Sequence, residues 1–357
     1  MVASVPTPSP LRGVLHREKE MNRIIQDYRH TYLFYILATI IPWSFWALAA
    51  YISHSPDYAY AEELASLSAF VGLLSPTLVA FCLIYRNKRL MSDVLQRTIN
   101  LRAGKPVYWL LTLLLMPASI LLAQLVSLLF GYPPSQFAFS ESYSFTSGVF
   151  PVWFILVAAP IIEELAWHSY GTDCLCKRFT LITASLIFAL YWGVWHIPLS
   201  LINDYYHSNL VEGGWIHGAN FLVSLFPFVI IMNWLYYKTG RSILSAIIFH
   251  VTAGYFNEIF ATHPDSKVIQ TGLLVMLATF IVLKEKRLFF VRFFREPEAP
   301  GEQIKNTPIL EQFAAQYLSQ NIAQMKRGKP LNRFWHSSSG ASRSWGNIAN
   351  CCDLPLP

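Results

Sequence analysis

The chain has 357 residues, of which 54% are hydrophobic, 15% aromatic and only 13% charged, with a mean hydropathy of +0.37. A soluble domain carries roughly twice that share of charge. The composition therefore excludes an ordinary soluble enzyme, a disordered regulator and a disulfide scaffold, and points to a polytopic membrane protein. The net charge of +6 does not imply nucleic acid, because Lys and Arg sit in short loops between apolar runs.

Residues 1–30 form a basic N-terminal segment with Arg12, Arg17, Lys19, Arg23 and Arg29. Eight apolar stretches follow, at 32–52, 64–85, 107–130, 149–167, 181–202, 218–237, 243–261 and 268–283. About 20 apolar residues cross the ~30 Å hydrocarbon layer as a helix. Lipid leaves the backbone no outside partners, so helices are expected rather than strands. The fold expected is all-α, a transmembrane bundle of about eight spans within 31–295. Twenty Lys and Arg lie in the N-terminal segment and alternate loops, while the other loops hold only Lys267. The positive-inside rule places both termini in the cytoplasm, with the protein integral to the cytoplasmic (inner) membrane. Residues 296–357 form a cytoplasmic tail, with an amphipathic helix expected at 308–326 and a Ser/Gly-rich disordered stretch at 336–346. The five cysteines (82, 174, 176, 351 and 352) form neither a disulfide framework nor a zinc pattern. Cys174 and Cys176 are expected in a loop, and Cys351 and Cys352 lie too far from the end for a prenylation signal.

Charges inside a membrane are costly, so the few present are informative. The fourth stretch contains Glu163-Glu164 and His168, the fifth ends in Trp192-x-x-x-His196, and the seventh carries His250. Two glutamates and two histidines from three helices are thus offered to the bundle interior. A carboxylate in an apolar pocket can take a proton from water, and an imidazole can share that proton or stabilise an oxyanion. Glu163, His196 and His250 are equally a ligand set for a catalytic zinc with one open position. Both routes activate water inside a membrane, hence hydrolysis of a bond presented there. On a helix Glu164 and His168 share a face, while Glu163 lies about 100° round. The blander readings are a proton or cation relay in a transporter, and buried histidines that merely hydrogen-bond between helices. Asn233 reads as helix glue. His16, His30, His54, His207, His217, His263 and His336 fall outside the spans or at their ends and read as solvated.

Over about residues 145–262 the chain resembles the CPBP intramembrane metalloprotease family. That family includes the type II CAAX prenyl proteases and bacteriocin-processing and self-immunity proteins. Its pattern is Glu-Glu-x-x-x-Arg, then aromatic-x-x-x-His, then His-x-x-x-Asn/Asp, each on its own helix. Glu163-Glu164, Trp192-x-x-x-His196 and His250 match in order. The resemblance implies an intramembrane endopeptidase acting on a membrane-associated or lipidated protein or peptide, with membrane lipid around it. By it, Glu163 and His196 activate the water, and Glu164 orients the site. His250 binds a divalent metal such as zinc or, without metal, polarises the scissile carbonyl. Trp192, His168 and Asn257 are the supporting residues. Two positions depart from the pattern: His168 stands where the family has Arg, and Gly254 where it has Asn or Asp. Asn257, two turns beyond His250, is the nearest amide. The alternatives are a non-catalytic immunity or scaffold protein, insensitive to loss of the trio, and a proton-coupled transporter, which would show related halves; no internal repeat is present. Counted from the stretch boundaries, Glu163 sits near the cytoplasmic side and His196 near the opposite one. They meet only if the fourth helix runs past Trp167 or the fifth starts deeper.

Overall fold

The computed structural model describes residues 24–292, apart from 56–59, 102–103, 144, 146–147 and 213. The chain divides into two units, and all described residues belong to the one comprising Asn22–Phe294 and Gly346–Pro357. The expectations for 308–326, 336–346, Cys351, Cys352, His16, His336 and most of the 1–30 segment lie outside the described residues.

The bundle is built of helices α1 (Thr31–Ser53), α2 (Ala61–Ile84), α3 (Lys88–Ile99), α4 (Pro106–Ser127), α5 (Val152–Ala166), α6 (Leu181–His196), α7 (Tyr206–Glu212), α8 (Trp215–Lys238), α9 (Ile243–Ile259), α10 (Pro264–Lys284) and α11 (Lys286–Phe290). Among the described residues, seven helical segments are long and apolar enough to span a membrane, and α9 is a shorter apolar eighth. The protein is a polytopic helical membrane protein. Apolar side chains such as Ile36, Ile40, Leu110, Leu125 and Leu190 are exposed along the spans, as a lipid-facing surface requires. Helix starts follow local chemistry: Thr180 caps α6, Ser242 caps α9, and His263 with Pro264 opens α10. Gly72 lets α1 and α2 approach, since a Cβ there would fall 2.5 Å from Trp46 Nε1, which donates to the Ala69 carbonyl at 3.0 Å.

Three features place the site. The first is the length of the fourth span. α5 continues without interruption through a π-helical turn (Trp167–Gly171) and a last α turn ending at Cys176. Cys174 and Cys176 are therefore buried in a helix rather than lying in a loop. The π turn frees carbonyls, and neighbours occupy them: Arg97 Nη1 donates to His168 O at 3.1 Å, and the Tyr28 hydroxyl donates to Ser169 O at 2.9 Å. Measured from the basic end, Glu163 lies about 20 Å up from Cys176 and His196 about 22 Å up from Leu181. The extension past Trp167 brings them to one depth.

The second feature is an ion-pair cluster at the basic end. The segment between the second and third apolar stretches is not a plain loop there: it carries α3, capped by the Asn87 side chain. Arg97 on α3 donates to Asp93 Oδ2 at 2.8 Å and reaches Asp173 at 3.4 Å. Arg241 also pairs with Asp173 and lies 3.4 Å from Asp93. All four are buried. Arg241 reaches them because it adopts the left-handed conformation (φ 62°) directly after Gly240 (φ 70°), reversing the chain between α8 and α9.

The third feature is register. The Glu164–His250 pair joins the fourth span to α9, and the Asp173–Arg241 pair joins it to the turn that leads into α9, nine residues away on each side. The ion pair at the foot sets how far α9 slides against α5, and so which carboxylate meets His250.

Candidate active site

The adjacent glutamates do different things, as their ~100° separation requires. Glu163 Oε2 accepts from the Trp192 indole at 2.9 Å and from the Trp167 indole at 3.3 Å. Its carboxylate lines a cavity of about 440 Å³. Glu164 does not line that cavity and is fully buried. Its Oε1 accepts from His250 Nδ1 at 2.8 Å, and its Oε2 pairs with His168 Nδ1.

Partners fix the histidine roles. His196 Nδ1 lies 2.6 Å from the Trp192 carbonyl. A carbonyl only accepts, so Nδ1 carries the proton and Nε2 keeps a free lone pair. His250 spends Nδ1 on Glu164, leaving Nε2, and its ring stands edge-on to Trp192 (5.2 Å) and Phe228 (5.6 Å). His168 has acceptors on both sides: Glu164 at Nδ1 and Asn233 Oδ1 at Nε2, 3.1 Å away. The Asn233 orientation is settled by Ser185, whose hydroxyl donates to Leu181 O and accepts from Asn233 Nδ2 at 2.9 Å. His168 thus bridges Glu164 and Asn233, and takes the place beside Glu164 that Arg holds in the family pattern. Asn233 is more than helix glue, because it fixes this ring.

Glu163, Trp192, His196 and His250 all line the one cavity, together with apolar Leu156, Leu225 and Phe228. The cavity also reaches the cation-poor end of the bundle, at Asn209, His217 and Lys267. Gly254 and Asn257 line it as well, but Asn257 Nδ2 is turned to the Tyr206 hydroxyl at 3.3 Å. Two of the histidines expected to be solvated line the cavity instead: His217, half-buried and 3.2 Å from Asp265 Oδ1, and His207, which stacks on His196 with ring centroids 4.9 Å apart. Burial, and then the neighbouring His196, pushes its imidazole well below the ordinary value. Burial, helped by Glu163, pushes the nearby Tyr205 phenol up to about 12.

Among the described residues no three His, Cys, Asp or Glu side chains are grouped to hold a metal ion. The protein anchors one nitrogen each of His196 and His250 and leaves the other for proton transfer or for a metal alike.

The profile of the type II CAAX prenyl endopeptidase Rce1-like family matches residues 145–256. A CAAX prenyl protease 2 from Methanococcus maripaludis is 36% identical over 270 residues, covering 75% of this chain and 98% of that protein. The chain belongs to this family. It is accordingly a multi-pass membrane protein of this protease family, and the matched segment contains the Glu163-Glu164, Trp192–His196 and His250 motifs.

Proposed function

We propose that the protein hydrolyses a peptide bond of a membrane-associated, lipidated protein or peptide with water activated by Glu163 and His196. The observation that carries this reading is the convergence of Glu163, His196 and His250, from three helices, on one largely apolar cavity. A substrate segment enters the cavity with its lipid against the apolar wall. Water placed between the Glu163 carboxylate and His196 Nε2 gives its proton to the carboxylate as its oxygen attacks the scissile carbonyl. The two indole N–H groups hold that carboxylate in position. His250, oriented from behind by Glu164 through Nδ1–H and protonated at Nε2 as well, donates through Nε2 to the developing oxyanion. The proton held by Glu163 then passes to the leaving amine. No step needs a metal, although a neutral His250 would offer one its Nε2 lone pair.

The substrate class follows the name of the Methanococcus relative, a CAAX prenyl protease, and the apolar wall of the cavity. The twenty-to-one distribution of Lys and Arg supports cytoplasmic termini, which puts the cavity in the half of the bundle away from them.

The test is Glu163→Gln, purified and assayed on a farnesylated fluorogenic peptide. Cleavage is expected to disappear with the melting temperature unchanged. Wild-type cleavage by that variant would remove Glu163 from the mechanism.

A further inference from the structure

After α6 the chain makes a 3-10 turn (Ile197–Leu201) and passes through Asp204 in the left-handed conformation (φ 57°). This folds Tyr205, Tyr206 and His207 back over the end of α6. His207 lies nearly parallel to His196, at 25° between ring planes, and Phe221 (5.1 Å) and Tyr206 (5.3 Å) stand edge-on against it. Tyr205 stacks on it too, at 6.0 Å and 16°, so four aromatic rings hold it. Its Nδ1 is nevertheless buried with no hydrogen-bond partner. Leaving a buried ring nitrogen unpaired is unfavourable. A partner that arrives with the substrate removes that penalty, and the cavity His207 lines is the one that holds Glu163, His196 and His250.

A second vacancy lies nearby. Gly254, one turn beyond His250 on α9, lines the cavity and offers no side chain. A Cβ there would meet only Leu156 Cδ2, at 3.9 Å, so the site has room for a polar group that this chain lacks. The amide of Asn257 is turned to Tyr206.

We propose that His207 is a further catalytic residue: its unpartnered ring nitrogen donates a hydrogen bond to the scissile carbonyl oxygen as that atom becomes an oxyanion. The proposal rests on the proteolytic reading above. It assigns to the α6–α8 connection a donor that α9 does not supply at Gly254.

The test uses His207→Phe, which keeps a ring against His196 but removes both nitrogens, His207→Gln, which keeps a donor, and the double variant His207→Phe with Gly254→Asn. Loss of one oxyanion donor lowers kcat about 100-fold. His207→Phe should show that loss with KM within about threefold of wild type, as expected for an interaction made in the transition state. His207→Gln should recover part of it, and the double variant should regain at least about tenfold over His207→Phe alone. A merely structural ring would not be rescued from another helix. In parallel, binding of a peptidyl phosphonate and of the uncleaved farnesylated peptide is measured on the same variants in the Glu163→Gln background. His207→Phe should weaken the phosphonate and spare the peptide. Unchanged kcat and unchanged phosphonate binding would overturn the assignment, as would equal loss of both ligands. If wild-type protein cleaves nothing, the proteolytic reading fails, while the phosphonate arm still reads His207 by itself. Should His207→Phe fold poorly, the comparison of His207→Gln with wild type decides.

Discussion

Glu164→Gln isolates what the carboxylate behind the cavity does. The two side chains are nearly the same size and Glu164 is fully buried, so the change removes charge without opening a hole. The carboxylate receives two Nδ1–H donors, from His168 and His250. An amide offers one oxygen and one NH2 to the same pair, so one histidine then faces a donor. His168 keeps its second anchor on Asn233, and the loss falls chiefly on His250. A hydrogen bond to a charged group contributes about 1.5–3 kcal/mol, which is roughly 10- to 150-fold in rate if it is felt in the transition state. The assay is kcat on the farnesylated fluorogenic peptide, with a thermal melt of the same preparation. The expected result is a kcat loss in that range with little change in KM. Wild-type kcat in a folded Glu164→Gln protein would refute the claim that Glu164 orients His250.

Three further outcomes follow from the same geometry. Incubation with EDTA or 1,10-phenanthroline should leave kcat unchanged; a loss reversed by added zinc would show that His250 works through a metal. Trp192→Phe removes the indole donor 2.9 Å from Glu163 but keeps a ring in the stack, and should lower kcat about tenfold, with equal activity counting against the indole's role. Arg241→Met breaks a buried ion pair while leaving Asp173 and Asp93 to share Arg97, and should cost about 3–5 kcal/mol of stability. It should also lower kcat by loosening the register of α9, and an unchanged melting temperature would count against the ion-pair cluster as the anchor.

The spans were legible because lipid permits few alternatives: an apolar run of sufficient length must be a helix, and its rare charges must face inward. Glu163, His196 and His250 stood out for that reason. The end of the fourth span was not legible, because His168, Ser169, Thr172 and Asp173 read as the return to water. His168 and Asp173 remain in the helix because groups distant in sequence satisfy them, Asn233 for His168 and Arg97, Arg241 and Tyr236 for Asp173, while the Ser169 hydroxyl bonds back to Leu165 O within the helix. The i, i+4 spacing of Asp93 and Arg97, with a lone Asp173 beside an apolar run, was the available hint. In the sequence Arg97 and Arg241 read as loop charges marking sidedness, and they also form buried ion pairs. His207 carried no periodic signal at all, since it is placed by the backbone course of a connection rather than by a helical face.

The π-helical turn gives the fourth span a property that a uniform helix would lack. It places one surplus residue between the glutamates and the aspartate that clamps α9. Five residues at its wider winding cover about the same angle as four in an ordinary α-helix, so the surplus is absorbed locally and the glutamates keep their phase over the clamped base. The rod thus holds a reserve of one residue. Removing one position from the turn leaves ordinary winding with Glu163 and Glu164 still facing their partners, whereas removing two would swing the upper segment by about 100°, part Glu164 from its histidines and silence the enzyme.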